Sequence, residues 1–143
     1  MLNGIFQLKN LLKILIFFPV IFYFGKRSYI AFDEGFYALQ ARWILDKGNW
    51  TIPLWWDDYA LDRTIGLQYL IAKSQDIFGR NMFAAYLPTT CAAIIMLFTT
   101  YKLHEELFDK KFALISPLIL ATSYLWFDYS HLATQDIMYS SLV

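Results

Sequence analysis

Residues 82–101, M-F-A-A-Y-L-P-T-T-C-A-A-I-I-M-L-F-T-T-Y, form a run of twenty residues without a charge. A helix of about 20 such residues matches the ~30 Å hydrocarbon core of a bilayer, and soluble folds seldom use a run that long. Two shorter runs flank it. Residues 112–127 give sixteen apolar or uncharged residues, with Asp128 placed to sit at the interface. Residues 14–24 give eleven, or fifteen from Leu11 to Gly25 with Lys13 snorkelling to the headgroups. G-K-R-S follows this first run instead of a small-residue cleavage site, so it reads as a retained anchor and not a signal peptide. Pro19, Pro88 and Pro117 lie inside the runs, where membrane helices tolerate proline. Hydrophobic residues make up 58% of the chain and aromatics 20%, above an ordinary soluble domain. The expected class is an all-α integral membrane protein with spans at about 11–25, 82–101 and 112–128.

Charge then excludes other classes. Twelve basic and twelve acidic side chains cancel, which leaves no basic field for nucleic acid. Cys91 is the one cysteine and lies in an apolar run, so disulfide frameworks and thiolate metal sites are ruled out; it reads as a small core residue. Lys9, Lys13, Lys102, Lys110 and Lys111 place the N-terminus and the loop 102–111 in the cytoplasm, although Lys26, Arg27 and Arg42 argue the other way. Residues 26–81 then form a long outer loop, and Asp33, Glu34 and Asp136 share the outer face.

That loop carries two helical patterns. One covers 34–47, with Phe36, Leu39 and Trp43 beside Tyr37, Ala41 and Ile44, and stops at Gly48. The other covers 65–78, with Leu67, Leu70, Ile71 and Phe78 on one stripe, and stops at Gly79. Both suit amphipathic helices lying in the membrane interface. The connector G-N-W-T-I-P-L-W-W-D-D-Y is rich in turn residues and tryptophan, the latter favoured at headgroup depth.

Four residues stand out as candidates for chemistry. Asp33 and Glu34 read either as a helix start favoured by the dipole, with Asp33 as N-cap, or as a general base at the mouth of a membrane cavity. Arg63 reads as a surface partner of Asp58 or Asp62, or as a clamp on phosphate. Asp136 reads as the cap of a helix beginning I-M-Y-S-S-L-V, or as an acid of the same outer site. His104 and His131 are too far apart in topology to form a metal pair and read as structural.

D-E-G-F-Y-A (33–38), G-N-W-T-I-P-L (48–54), D-R-T-I-G-L-Q-Y-L (62–70), L-F-D-K-K-F-A (107–113) and H-L-A-T-Q-D (131–136) come in a telling order. Together they resemble the dolichyl-phosphate-mannose–protein mannosyltransferase superfamily, in particular its bacterial branch acting on sugars linked to undecaprenyl phosphate. The resemblance implies a polytopic helical GT-C fold and transfer of a sugar from a polyprenyl (undecaprenyl or dolichyl) phosphate donor to a lipid, glycan or protein acceptor, with inversion. It implies a multi-pass protein of the plasma (inner) membrane with its site on the extracytoplasmic side. Asp33 matches the family's catalytic acid, Glu34 its neighbour, and Asp136 the acid after the third span. Arg63 replaces the lysine that contacts the lipid phosphate, Thr64 and Ile65 replace two prolines, and His131 stands where relatives often carry arginine. No cofactor is implied with certainty, and a divalent metal is left open.

The same resemblance implies more spans than three and the start of a fourth, so the chain reads as the N-terminal portion of the catalytic domain, or as a truncated product. The rival reading is a non-catalytic membrane scaffold or inactive relative. A transporter is disfavoured because the acids flank the spans and do not sit at mid-bilayer.

Overall fold

The computed structural model describes the backbone except at Met1, residues 22–25, Arg27, Ala31, Pro53, Asp57, Leu61 and Asp62, and the side chains of the first helix from Asn10 onward. The described residues are mostly helical. Helix α1 spans Leu2–Ile21 and α2 spans Asp33–Lys47. A short antiparallel hairpin, β1 (Leu54–Trp55) and β2 (Asp58–Tyr59), precedes α3 (Gly66–Phe78) and α4 (Met82–Leu107). A 3-10 turn at Lys110–Phe112 leads to α5 (Ile115–Thr122), α6 (Tyr124–Ser130) and α7 (Gln135–Leu142).

Helix α4 is the strut of the molecule. Asn81 caps it, its side-chain oxygen accepting the Ala84 N–H at 2.8 Å. It runs past the expected end at residue 101, because Lys102 and Tyr101 both bond Glu105 at 2.7 Å and carry the helix on to Leu107. Its 26 residues make a rod of about 39 Å. Among the described residues it is the one helix long and apolar enough by itself to cross a membrane.

The other two expected spans look different. The apolar part of α1, Asn10–Ile21, is shorter than a span, and the last four residues of the expected run lie outside the described residues. The run 112–128 is not one straight helix: α5 and α6 are separate, with a bend of 71° between them. Hydroxyls explain the break. Thr122 Oγ1 donates to the carbonyls of Leu118 and Ile119, and both the N–H and hydroxyl of Ser123 bond the Leu120 carbonyl. Such side-chain bonds compete with the helical ladder.

Two apolar clusters sit along α4. Tyr37, Ala41 and Ile44 of α2, with Leu67, Ile71 and Ala72 of α3, pack on Ala85 and Tyr86 near its start, together with Ala133. Farther along, Ala92, Ala93 and Leu97 meet Ile16 and Val20 of α1, Ala121 of α5, Trp126 of α6 and Ile137 of α7. Alanines let helix backbones approach closely, as membrane bundles favour.

The loop helices keep their expected limits, and their faces differ in part. Gly48 ends α2 in the left-handed region at φ 68°, as the reading required. On α3 the polar Gln68, Ser74 and Gln75 are buried while Leu70 and Phe78 are exposed, so the stripe is rotated from the expected one. Gln68 is inside because it donates to Gln40 of α2 at 2.7 Å, both side chains being fully buried. Cys91 faces outward on α4 and is not part of the core. The connector holds the unexpected hairpin, with Trp56 turned into the left-handed region at φ 57°. Trp55 stacks on Phe36 at 4.4 Å and meets Trp43 edge-on at 5.8 Å.

Candidate active site

Asp33 stands in the first turn of α2, not at its N-cap. That position belongs to Phe32, whose backbone (φ 81°, ψ −95°) lies in a sparsely populated region for a residue with a side chain. The Asp33 carboxylate is half exposed and points to the segment ahead of α3. There Arg63 Nη1 donates to Asp33 Oδ1 at 2.8 Å and to the Tyr37 hydroxyl oxygen at 2.9 Å. The guanidinium also lies over the Phe36 and Tyr37 rings, 4.9 and 5.3 Å from their centroids. Arg63 is therefore an ion-pair partner of Asp33, which the sequence did not point to; of the two expected partners, Asp58 and Asp62, the latter lies outside the described residues. Tyr37, read only as an apolar-face residue, is a polar member of the site. It stands one turn after Asp33, and that i, i+4 spacing is the signal that could have found it.

Glu34 goes the other way. Adjacent helical residues project about 100° apart, so Asp33 faces outward and Glu34 inward. It is 1% exposed. Its Oε2 accepts the Ile30 N–H at 2.6 Å and its Oε1 accepts the Ala133 N–H at 2.7 Å. The expected second catalytic acid thus has both oxygens engaged by backbone donors in the interior.

Asp136 is in the first turn of α7, with Thr134 at the cap position. It is exposed and lines a cavity of about 360 Å³ at the α5–α6 bend, with Met96, Ser123, Trp126 and Tyr129. It reaches the Asp33 group electrostatically: burial pushes the Tyr37 hydroxyl above its ordinary value, Arg63 opposes the rise, and the charges of Asp33 and Asp136 add to it. A contact between the hydroxyls of Thr64 and Tyr139 also ties the residue after Arg63 to α7. Asp33 and Arg63 therefore meet beside the start of α4, the charge of Asp136 is felt at Tyr37, and Lys102 lies about 26 Å along the rod from Ala85.

The histidines stay apart. His131 Nδ1 lies 2.7 Å from the Phe127 carbonyl, an acceptor only, which fixes the proton on that nitrogen. His104 Nδ1 meets the Ser116 hydroxyl at 2.6 Å, on the stretch of α4 far from the acids. Among the described residues no group of three or more His, Cys, Asp or Glu side chains could hold a metal ion.

Comparison with known proteins bears on this arrangement. Residues 62–143, with Arg63 and Asp136 among them, match the family described as Dolichyl-phosphate-mannose-protein mannosyltransferase. The chain belongs to this family. Its members are membrane-embedded glycosyltransferases of the GT-C type. Two relatives are each named undecaprenyl phosphate-alpha-4-amino-4-deoxy-L-arabinose arabinosyl transferase. The protein from Enterobacter sp. (strain 638) is 30% identical over 110 residues, covering 74% of this chain and 19% of its own length. The protein from Shewanella sediminis (strain HAW-EB3) is 26% identical over 132 residues, covering 90% of this chain and 24% of its own. A match over nine-tenths of the chain takes in Asp33, Glu34 and Arg63. The chain spans a fifth to a quarter of the length of these relatives. No solved structure matches it.

Proposed function

We propose that this chain carries part of the active site of a glycosyltransferase that moves a sugar from a polyprenyl phosphate to a lipid, glycan or protein acceptor. One observation carries the reading: a carboxylate and a guanidinium thirty residues apart, Asp33 and Arg63, are brought to 2.8 Å at the end of an apolar helix bundle. The relatives' names supply the donor class.

The reaction follows from the groups present. The donor's phosphate competes with Asp33 for Arg63, whose planar fork suits phosphate oxygens. When the guanidinium turns to the phosphate, the Asp33 carboxylate is released to accept a proton. The acceptor oxygen attacks the anomeric carbon, its proton passes to Asp33, and the bond to the phosphate oxygen breaks with its electron pair on the leaving group. Attack opposite the phosphate inverts the anomeric centre. Arg63 steadies the charge that grows on the leaving phosphate, where a fixed cation in a drier site is worth most. Asp136, which lines the cavity at the α5–α6 bend, is assigned to the acceptor or the sugar.

We place the site on the extracytoplasmic side of the plasma membrane, with α1, α4 and the α5–α6 pair crossing it. Lys102, Lys110 and Lys111 at the far end of α4 support that orientation. In a Cys91→Ala background, an impermeant maleimide added outside should label Trp50→Cys and not Glu105→Cys. Labelling of both from one side would overturn it.

The scaffold reading takes support from the Asp33–Arg63 pair itself, which could serve only to hold α2 to the segment before α3. Asp33→Asn in the intact protein separates the two. Loss of a positioned base should lower transfer by about 10²–10⁴-fold with membrane insertion unchanged. Undiminished transfer would remove Asp33 from the mechanism.

A further inference from the structure

We propose that Glu34 is a positioning residue, whose carboxylate ties the loop that delivers Asp136 to the helix start that presents Asp33. The proposal rests on the glycosyltransferase reading for its purpose, and on geometry for its substance.

The tie spans 99 residues of sequence. Glu34 Oε1 takes the N–H of Ala133, which is 0% exposed, and Oε2 takes the N–H of Ile30 just before α2. Both partners are donors, so both oxygens act as acceptors, the role of a carboxylate. Bonds from backbone N–H groups to a charged acceptor are among the stronger ones, and a buried N–H left without one is costly. Ala133 immediately precedes Thr134, the cap position of α7, and Asp136 lies in that helix's first turn. The depth at which α7 begins is thus set against α2. The Thr64–Tyr139 contact makes a second link, from the residue beside Arg63 to the same helix. Through its one side chain Glu34 fixes the relation between Asp33 and Asp136 without reaching the reacting atoms itself.

Glutamine keeps the shape but sets an NH₂ against one of the two N–H donors, and aspartate keeps the charge with one methylene less reach. Hydrogen exchange by mass spectrometry on the detergent-solubilised intact protein reads the Ala133 amide directly. Transfer from undecaprenyl-phosphate aminoarabinose, followed against pH, reads the consequence. In Glu34→Gln the peptide containing Ala133 should exchange faster by about tenfold or more while α4 stays protected. Transfer should fall by about 10–100-fold, as misplacement by an ångström does, with the limbs of the pH profile where they were. Glu34→Asp should lie between, and it replaces the glutamine variant if that one fails to fold. Unchanged protection of Ala133 in both variants overturns the proposal. So does loss of the acidic limb in Glu34→Gln, which would make Glu34 a proton-transfer group. An unsubstituted protein that turns over no donor, while Glu34→Gln still releases Ala133, would end the glycosyltransferase reading and leave the tie standing.

Discussion

Replacing Arg63 separates what that side chain does for the fold from what it does for the reaction. In the resting structure it bonds Asp33 and Tyr37 and covers two rings. The Asp33 side chain is 54% exposed, so water screens the pair and its contribution is about 0–1 kcal/mol. The ring contacts add about 0.5–1 kcal/mol at this partly exposed site. Arg63→Met, which keeps the stem and loses the charge, should therefore destabilise the fold by only about 1–2 kcal/mol. The loss in the transition state is larger. Removing one donor aimed at a developing anion costs about 10²–10³ in kcat, roughly 2.7–4 kcal/mol. Arg63→Lys keeps the charge without the fork and should recover most of that, to within about tenfold of the unsubstituted enzyme. The assay is kcat and KM for undecaprenyl-phosphate aminoarabinose in detergent, beside thermal unfolding of the same samples. A methionine variant with kcat within about threefold of the parent would refute the phosphate role. A loss of kcat matched by the loss of folded protein would refute it equally, by reducing Arg63 to a structural ion pair.

Two further outcomes follow from the packing of α2. The bond from Gln68 Nε2 to Gln40 Oε1 leaves Gln40 Nε2 and Gln68 Oε1 without a partner among the described residues; Gln68→Leu should cost about 1–3 kcal/mol by stranding Gln40, and adding Gln40→Leu should restore most of it. Arg80, 2.6 Å from Asp46 and its main cause of perturbation, holds that carboxyl below the usual carboxylate range. The pair's contribution is then complete above pH ~4 and is lost as pH falls through the lower folded value, so melting curves of the parent and Asp46→Asn should differ above pH ~4 and converge below it.

Residue by residue, what the sequence revealed followed from local chemistry. The limits of α2 and α3 were legible because Gly48 and Gly79 stop them, and the start of α4 because its uncharged run begins there. The hairpin was not, since two strands of two residues leave no alternation to read. The break at Ser123 was hidden because hydropathy is unbroken from 112 to 127 and hydroxyl–carbonyl bonds carry no hydropathic mark. Asp33 and Arg63 could be named as candidates, but nothing in their spacing showed that they meet. The interior place of Glu34 had one overlooked signal: it shares a face with Tyr37, Ala41 and Ile44 at offsets of three, seven and ten residues. Its partner at Ala133 had none, because a contact spanning 99 residues is set by the whole fold.

The strut formed by α4 has a mechanical consequence. A rod held along its later turns by α1, α5, α6 and α7 leaves only its first turns to carry α2, α3 and the loop at Ala133. Asp33 and Arg63 thus stand on segments carried by the first turns of α4, whereas Asp136 stands on α7, which packs along the later turns. The Ala133–Glu34 bond and the Thr64–Tyr139 contact join α7 to both of those segments, so a displacement of α2 or of the residues before α3 is passed through α7 to the helices along the later turns. Those two links, and not α4 itself, are where substitution would loosen one group from the other.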